Sequence, residues 1–195
     1  MGQQFDEAYW QHRYQLNQTG WDVGDVTTPL KNYFDQLQNK TIRILIPGSG
    51  SGYEAEYLFK QGFEKVYLVD IAEAPLHNFA RRVPGFSKEQ LLQQDFFSLE
   101  GEYDLIVEQT FFCAFEPSLR LDYARQCAHL LRQGGKLMGL LFDTDFTHEG
   151  PPFGGNREEY RTYFEPYFHF RHYDTAYNSI QPRQGREVFM LLQKK

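Results

Sequence analysis

The stretch ILIPGSGSGYEAEYLFKQGFEKVYLVD, Ile44 to Asp70, decides the fold. An apolar run enters three glycines set one residue apart, Gly48, Gly50 and Gly52. A helical pattern follows from Glu54 to Gln61, with Ala55, Leu58 and Phe59 on one face. A second apolar run then ends on Asp70. Strand, tight turn, helix and strand in that order form the repeating unit of a parallel sheet.

Working outward, strand patterns lie at 42–47, 65–70, 90–94, 103–109, 135–142, 167–174 and 186–193. Helical patterns run from Glu73 to Arg82 and from Ser118 to Arg132, the second stopped by Gly134-Gly135. Only NSIQPRQG separates the last two strands, so they are expected as an antiparallel hairpin. The expected fold is α/β: a doubly wound, mostly parallel seven-stranded sheet of Rossmann-like type. Residues 1–195 read as one domain, with 1–40 as an N-terminal cap or lid. That segment holds helices from Phe5 to Leu16 and from about Pro29 to Gln38, and both tryptophans.

The first βα turn of such a sheet offers backbone N–H groups and a helix N-terminus to a polar ligand. Gly52-Tyr-Glu lacks the lysine of a P-loop, and Tyr53 occupies the third-glycine position of a dinucleotide fingerprint. A ligand without a pyrophosphate, such as S-adenosylmethionine (SAM), suits the turn. Asp70 is placed to accept from ribose hydroxyls. Asp95 in LLQQDFF reads either as a contact for the adenine amino group with Phe96 over the base, or as a turn cap beside a core Phe. Both readings stand. DLIVEQTFFCAFEP brings Glu108, Gln109 and Thr110 to the same edge, and Phe111, Phe112 and Phe115 divide between core and acceptor pocket.

Composition bounds the partners. The chain is 195 residues long, 41% hydrophobic, and has no unbroken apolar run of membrane-spanning length. Its start, Met1 to Trp10, is polar and unlike a secretory signal, and Cys113 and Cys127 read as buried or free thiols in a reducing compartment. A soluble, cytoplasmic protein without a membrane partner is expected. The net charge of −6 and the lack of a basic run argue against nucleic acid. No Cys/His spacing suggests a metal.

Four blocks carry a resemblance: WQHRYQLNQTGWDVG, ILIPGSGSGYEAEYL, FFCAFEPSLR and HEGPPF. Across residues 9–168 the chain resembles the thiopurine methyltransferase superfamily, especially its halide and thiol methyltransferase branch. The resemblance implies a class I, SAM-dependent methyl transfer to a small soft nucleophile: a thiol, thiopurine or halide. It implies a small-molecule acceptor as partner, and a monomer is the expectation. By motif, Trp10, Tyr14 and Trp21 would close over SAM, and Gly48 and Gly50 would face its amino-acid end. Asp70, with Ile71 beside it, would hold the ribose, and Asp95 and Phe96 would flank adenine. Glu108 would lie near the methionine part. Arg120, with Phe112 and Phe153, would border the acceptor. Tyr14 replaces the family's usual tryptophan, and Ser49 a frequent cysteine.

No catalytic base is assigned. His148 is the candidate if one exists, though an exposed loop histidine is the plainer reading, and Cys113 has no base near it in sequence. A SAM-binding regulatory or scaffolding protein without transfer is the alternative. A nicotinamide oxidoreductase is disfavoured by Tyr53 and the closing hairpin.

Overall fold

The computed structural model describes residues 5–195. Seven strands form one sheet: β1 Ile44–Pro47, β2 Val66–Asp70, β3 Leu91–Gln93, β4 Tyr103–Gln109, β5 Leu131–Phe142, β6 Phe168–Thr175 and β7 Glu187–Lys194. Their order is β3-β2-β1-β4-β5-β7-β6. The first five are parallel, and β7 inserts antiparallel between β5 and β6.

Alternation along the strands feeds two cores, one on each face. Ile44, Ile46, Leu105 and Val107 pack on one side, with Leu30 and Phe34 of helix α2 (Thr28–Phe34) and Ala55 and Leu58 of α3 (Tyr53–Lys60). Leu76 and Phe79 of α4 (Glu73–Arg82) complete that layer. Leu45 and Ile106 face the other side, against Tyr123 and Ala124 of α5 (Arg120–Leu130) and Tyr160 and Phe164 of α6 (Arg157–Phe164). Helix α1, Glu7–Gln15, buries none of its residues.

Two elements differ from the sequence reading. The helix expected over Ser118–Arg132 begins as a 3₁₀ turn, Pro117–Leu119, and ends at Leu130. Leu131 already pairs with Tyr103, and Lys136 with Leu105, so Gly134-Gly135 lies in a bulge of β5 instead of stopping the helix. Helix α6 was not expected. Its signal was present in Asn156-Arg-Glu-Glu159: the Asn156 side chain accepts from Glu159 N–H at 2.9 Å, an N-cap.

The carboxyl ends of β1 to β5 share one edge. Strand order reverses at β1, which lies between β2 and β4. Such a switch point opens a crevice beside the β1 turn.

Candidate active site

At that crevice lies a cavity of about 1000 Å³. Its floor is the turn after β1. Gly48 and Gly50 adopt φ of +57° and +50°, in the left-handed region that favours glycine. At Gly48 a Cβ would stand 2.2 Å from the Phe111 ring, so the backbone passes directly beneath that aromatic. At Gly50 the nearest atoms are the Tyr14 hydroxyl and the Trp21 indole nitrogen.

Asp70 ends β2 with its carboxylate against this turn. Oδ2 accepts from Gly50 N–H at 3.3 Å and Oδ1 from Ala72 N–H at 3.0 Å. Burial pushes its carboxyl up to about 6, against the opposing pull of these N–H groups. Ile71 follows on the cavity wall. Asp95 also lines the cavity, and its Oδ1 caps the next turn by accepting from Phe97 N–H at 3.0 Å. Phe96 lines it too while packing at 5.4 Å on Phe111 and on Tyr123. The cap and core readings of Asp95 and Phe96 therefore hold, and both residues still face the crevice.

Trp10, Tyr14 and Trp21 form the opposing wall. Trp21 meets Trp10 edge-on at 5.7 Å and Tyr14 at 5.8 Å. Burial raises the Tyr14 phenol well above its ordinary range, and the negative charges of Asp70 and Asp22 add to this, so it stays a neutral hydroxyl.

Four expected residues lie elsewhere. Glu108 is fully buried beneath the cavity. Its Oε1 accepts from the N–H groups of Phe111 and Phe112 at 2.8 and 2.9 Å, and its Oε2 from the Tyr123 hydroxyl at 2.6 Å. It shares a strand face with Ile106 and so points into the core. Phe112 packs at 5.3 Å on Tyr123 and 5.1 Å on Tyr160, inside the same core. Phe153 packs on Phe5 at 5.5 Å, and its N–H donates to Cys113 O at 2.7 Å. Pro151 and Pro152 face the cavity in its place.

Arg120 is 2% exposed. It donates to Gly154 O at 2.7 Å and pairs with Glu159 at 3.3 Å, so its charge is directed into the fold and away from the crevice. His148 stacks on Phe146 at 5.6 Å and does not line the cavity. Cys113 does line it, but burial pushes its thiol up to about 12, which keeps it protonated.

The cavity also gathers polar groups that the sequence reading did not connect. Thr27 Oγ1 donates to Gln109 Oε1 at 2.9 Å. Asp22 accepts from the Ser51 hydroxyl, and burial pushes Glu54 up to about 7. Arg183 enters from the β6–β7 connection and donates to Trp21 O at 2.9 Å. It is separated from Trp21 by 162 positions, a distance no local pattern reports.

The family model for thiopurine S-methyltransferase matches residues 5–193. The chain belongs to this family. A probable thiol methyltransferase of Arabidopsis thaliana is 30% identical over 185 residues, covering 91% of this chain and 81% of that protein. A thiopurine S-methyltransferase of Acinetobacter baylyi is 27% identical, covering 82% of this chain and 84% of its own. The fold matches magnesium protoporphyrin IX methyltransferase of Synechocystis with bound SAM, at a TM-score of 0.75 and 12% identity, over 100% of this chain and 99% of that one. It also matches a 1,6-didemethyltoxoflavin N1-methyltransferase of Burkholderia thailandensis with bound S-adenosylhomocysteine, at 0.77 and 17%, over 97% and 87%. As a member of this family the chain is a SAM-dependent methyltransferase, and the reading as a binding protein without transfer is not favoured.

The site fits SAM on the structure's own terms. Aromatic walls suit an adenine ring and a sulfonium, and Asp70 suits a diol. Among the described residues, no helix is long and apolar enough to cross a membrane.

Proposed function

We propose that the acceptor is a small, soft, polarisable nucleophile, a thiolate above all. One observation supports this class: Phe111, Phe115, Phe146, Pro151 and Pro152 line the cavity, and no His or Lys among the described residues does. The names of the relatives agree: thiol, thiocyanate and thiopurine methyltransferases.

In this reading Asp70 holds the ribose, with Ile71 alongside, Asp95 and Phe96 flank adenine, and the Gly48–Gly50 turn carries the methionine part. When bound, SAM supplies a methyl group on a positive sulfonium, open to in-line attack. The chain's own residues do three things. Aromatic faces tolerate the sulfonium charge and exclude water. The turn and Asp70 fix orientation. No side chain has to remove a proton, because a free thiol of pKa about 8.5 is already about 3% thiolate at pH 7. An amine is protonated there and would call for a base. Glu54 is the cavity carboxyl raised nearest neutrality, and it is grouped with Arg183, Asp22 and Asp25 instead of the aromatic wall.

A methyl-transfer screen with labelled SAM tests this reading. A small thiol and a thiopurine gain label, aliphatic amines do not, and the thiol rate rises with pH through the thiol's own pKa. Transfer confined to amines, nucleic acid or protein would overturn the reading.

The N-terminal segment is proposed to act as a lid. Helix α1 buries no residue, and it is tethered by Gln11, which accepts from Ala74 N–H at 3.0 Å, and by Phe5 just before it, which meets Phe153 edge-on at 5.5 Å. Few buried contacts imply a low local opening free energy. Saturation with S-adenosylhomocysteine is expected to slow hydrogen exchange across residues 5–25. Exchange there that is unchanged at saturation excludes a lid.

A further inference from the structure

Among the described residues, two that are not glycine hold a positive φ: Asn17 at +53° and Thr110 at +60°. Asparagine enters that region readily, and Asn17 closes the turn after α1. A β-branched threonine enters it rarely, because its Cβ crowds the backbone. Such an outlier persists only where its surroundings hold it.

Thr110 follows the last residue of β4 and lines the cavity. Glu108 is what holds it. The Glu108 Oε1 accepts from the N–H groups of Phe111 and Phe112, the two residues after Thr110, at 2.8 and 2.9 Å. These bonds draw the chain back toward β4, and Thr110, caught inside the turn, takes the left-handed conformation. Oε2 accepts from the Tyr123 hydroxyl at 2.6 Å, which ties the carboxylate to α5.

The turn sorts two adjacent phenylalanines. Phe112 enters the core against Tyr123 and Tyr160. Phe111 goes to the cavity, close over Gly48, and packs at 5.4 Å on both Phe96 and Phe115. An ordinary extended Thr110 would carry the chain straight on and leave neither ring where it stands.

We propose that Glu108 is a positioning residue for methyl transfer: its carboxylate forces Thr110 into the left-handed conformation and so fixes Phe111 over the turn that carries the methionine part of SAM. The proposal rests on the SAM reading of the cavity. It gives a part in the reaction to a buried charge that touches no ligand. Misplacement by about 1 Å near a reacting centre can cost about 100-fold in rate.

The test is single-turnover transfer from labelled SAM to a small thiol. It is run at about pH 8, above the Glu108 carboxyl, which burial pushes up to about 7. Affinity for S-adenosylhomocysteine and the urea midpoint are measured alongside. Glu108→Gln exchanges charge-assisted bonds for weaker neutral ones. It is expected to slow transfer about tenfold or more in fully folded protein, with S-adenosylhomocysteine affinity kept within about threefold. Glycine takes the left-handed region without a clamp. Adding Glu108→Gln to Thr110→Gly should therefore slow transfer less than about threefold relative to Thr110→Gly alone. If Glu108→Gln does not fold, Thr110→Val and Thr110→Asn serve in its place. The two are similar in size, but Val resists the left-handed region and Asn accepts it, so the Val variant should be about tenfold slower.

Equal slowing by Glu108→Gln with and without Thr110→Gly overturns the proposal. So does a lowered urea midpoint with transfer unchanged, which leaves Glu108 as a core staple, and so do equal rates for the Val and Asn variants. Failure of wild type to bind S-adenosylhomocysteine sinks the SAM reading itself, a result distinct from these.

Discussion

Glu108→Ala is expected to lower folding stability by about 3–5 kcal/mol, from several buried donors losing their acceptor at once. The two N–H groups of Phe111 and Phe112 and the Tyr123 hydroxyl all converge on this buried carboxylate. Glu108→Gln keeps an acceptor for the two N–H groups and should cost much less. Urea midpoints for the two variants check the ordering. A Glu108→Ala protein of unchanged midpoint but lost SAM affinity would return the residue to the ligand site.

The same group predicts a pH dependence. Burial pushes the Glu108 carboxyl up to about 7 from an ordinary 4.5. A carboxyl raised in the folded state favours the protonated fold. Its contribution to stability is complete below the unfolded value and is lost as pH rises through about 7. Glu54, up to about 7, and Asp70, up to about 6, act in the same direction. The wild-type urea midpoint should therefore fall between pH 5 and pH 8, and Glu108→Gln should flatten part of that slope.

Arg120→Met is expected to cost about 1–3 kcal/mol of stability, from a carbonyl left without its buried donor and from lost ring contacts, since the half-exposed Glu159 is left to water. The guanidinium lies over the rings of Phe112 and Tyr160 at 5.1 and 5.0 Å. Its bonds to Gly154 O and Glu159 join the start of α5 to the loop and helix after β5. The motif resemblance implied loss of acceptor turnover; the structure replaces that with loss of packing. Denaturant titration alongside thiol kinetics at full folded population separates the two. Unchanged stability with reduced kcat/KM would restore an acceptor contact.

Local chemistry made much of this protein legible from sequence. Apolar runs of period two, one helical face and glycines set one residue apart are short-range signals. They placed Gly48, Gly50 and Asp70 on one sheet edge, and the structure has them there. The tryptophan segment was legible for a similar reason, since Trp10 and Trp21 are the only two in the chain and both face the cavity.

Tertiary structure alone decided where the charges point. In the central strand β4 both faces are covered by helices, so alternation cannot say which of Glu108 and Gln109 sees the crevice. Arg120 and Arg183 look alike as single letters. One closes onto the loop after β5, and the other reaches the cavity only because β7 inserts between β5 and β6 and carries its connection to Trp21. A buried charge takes its role from the partners that the fold brings to it, and those partners lie far away in sequence.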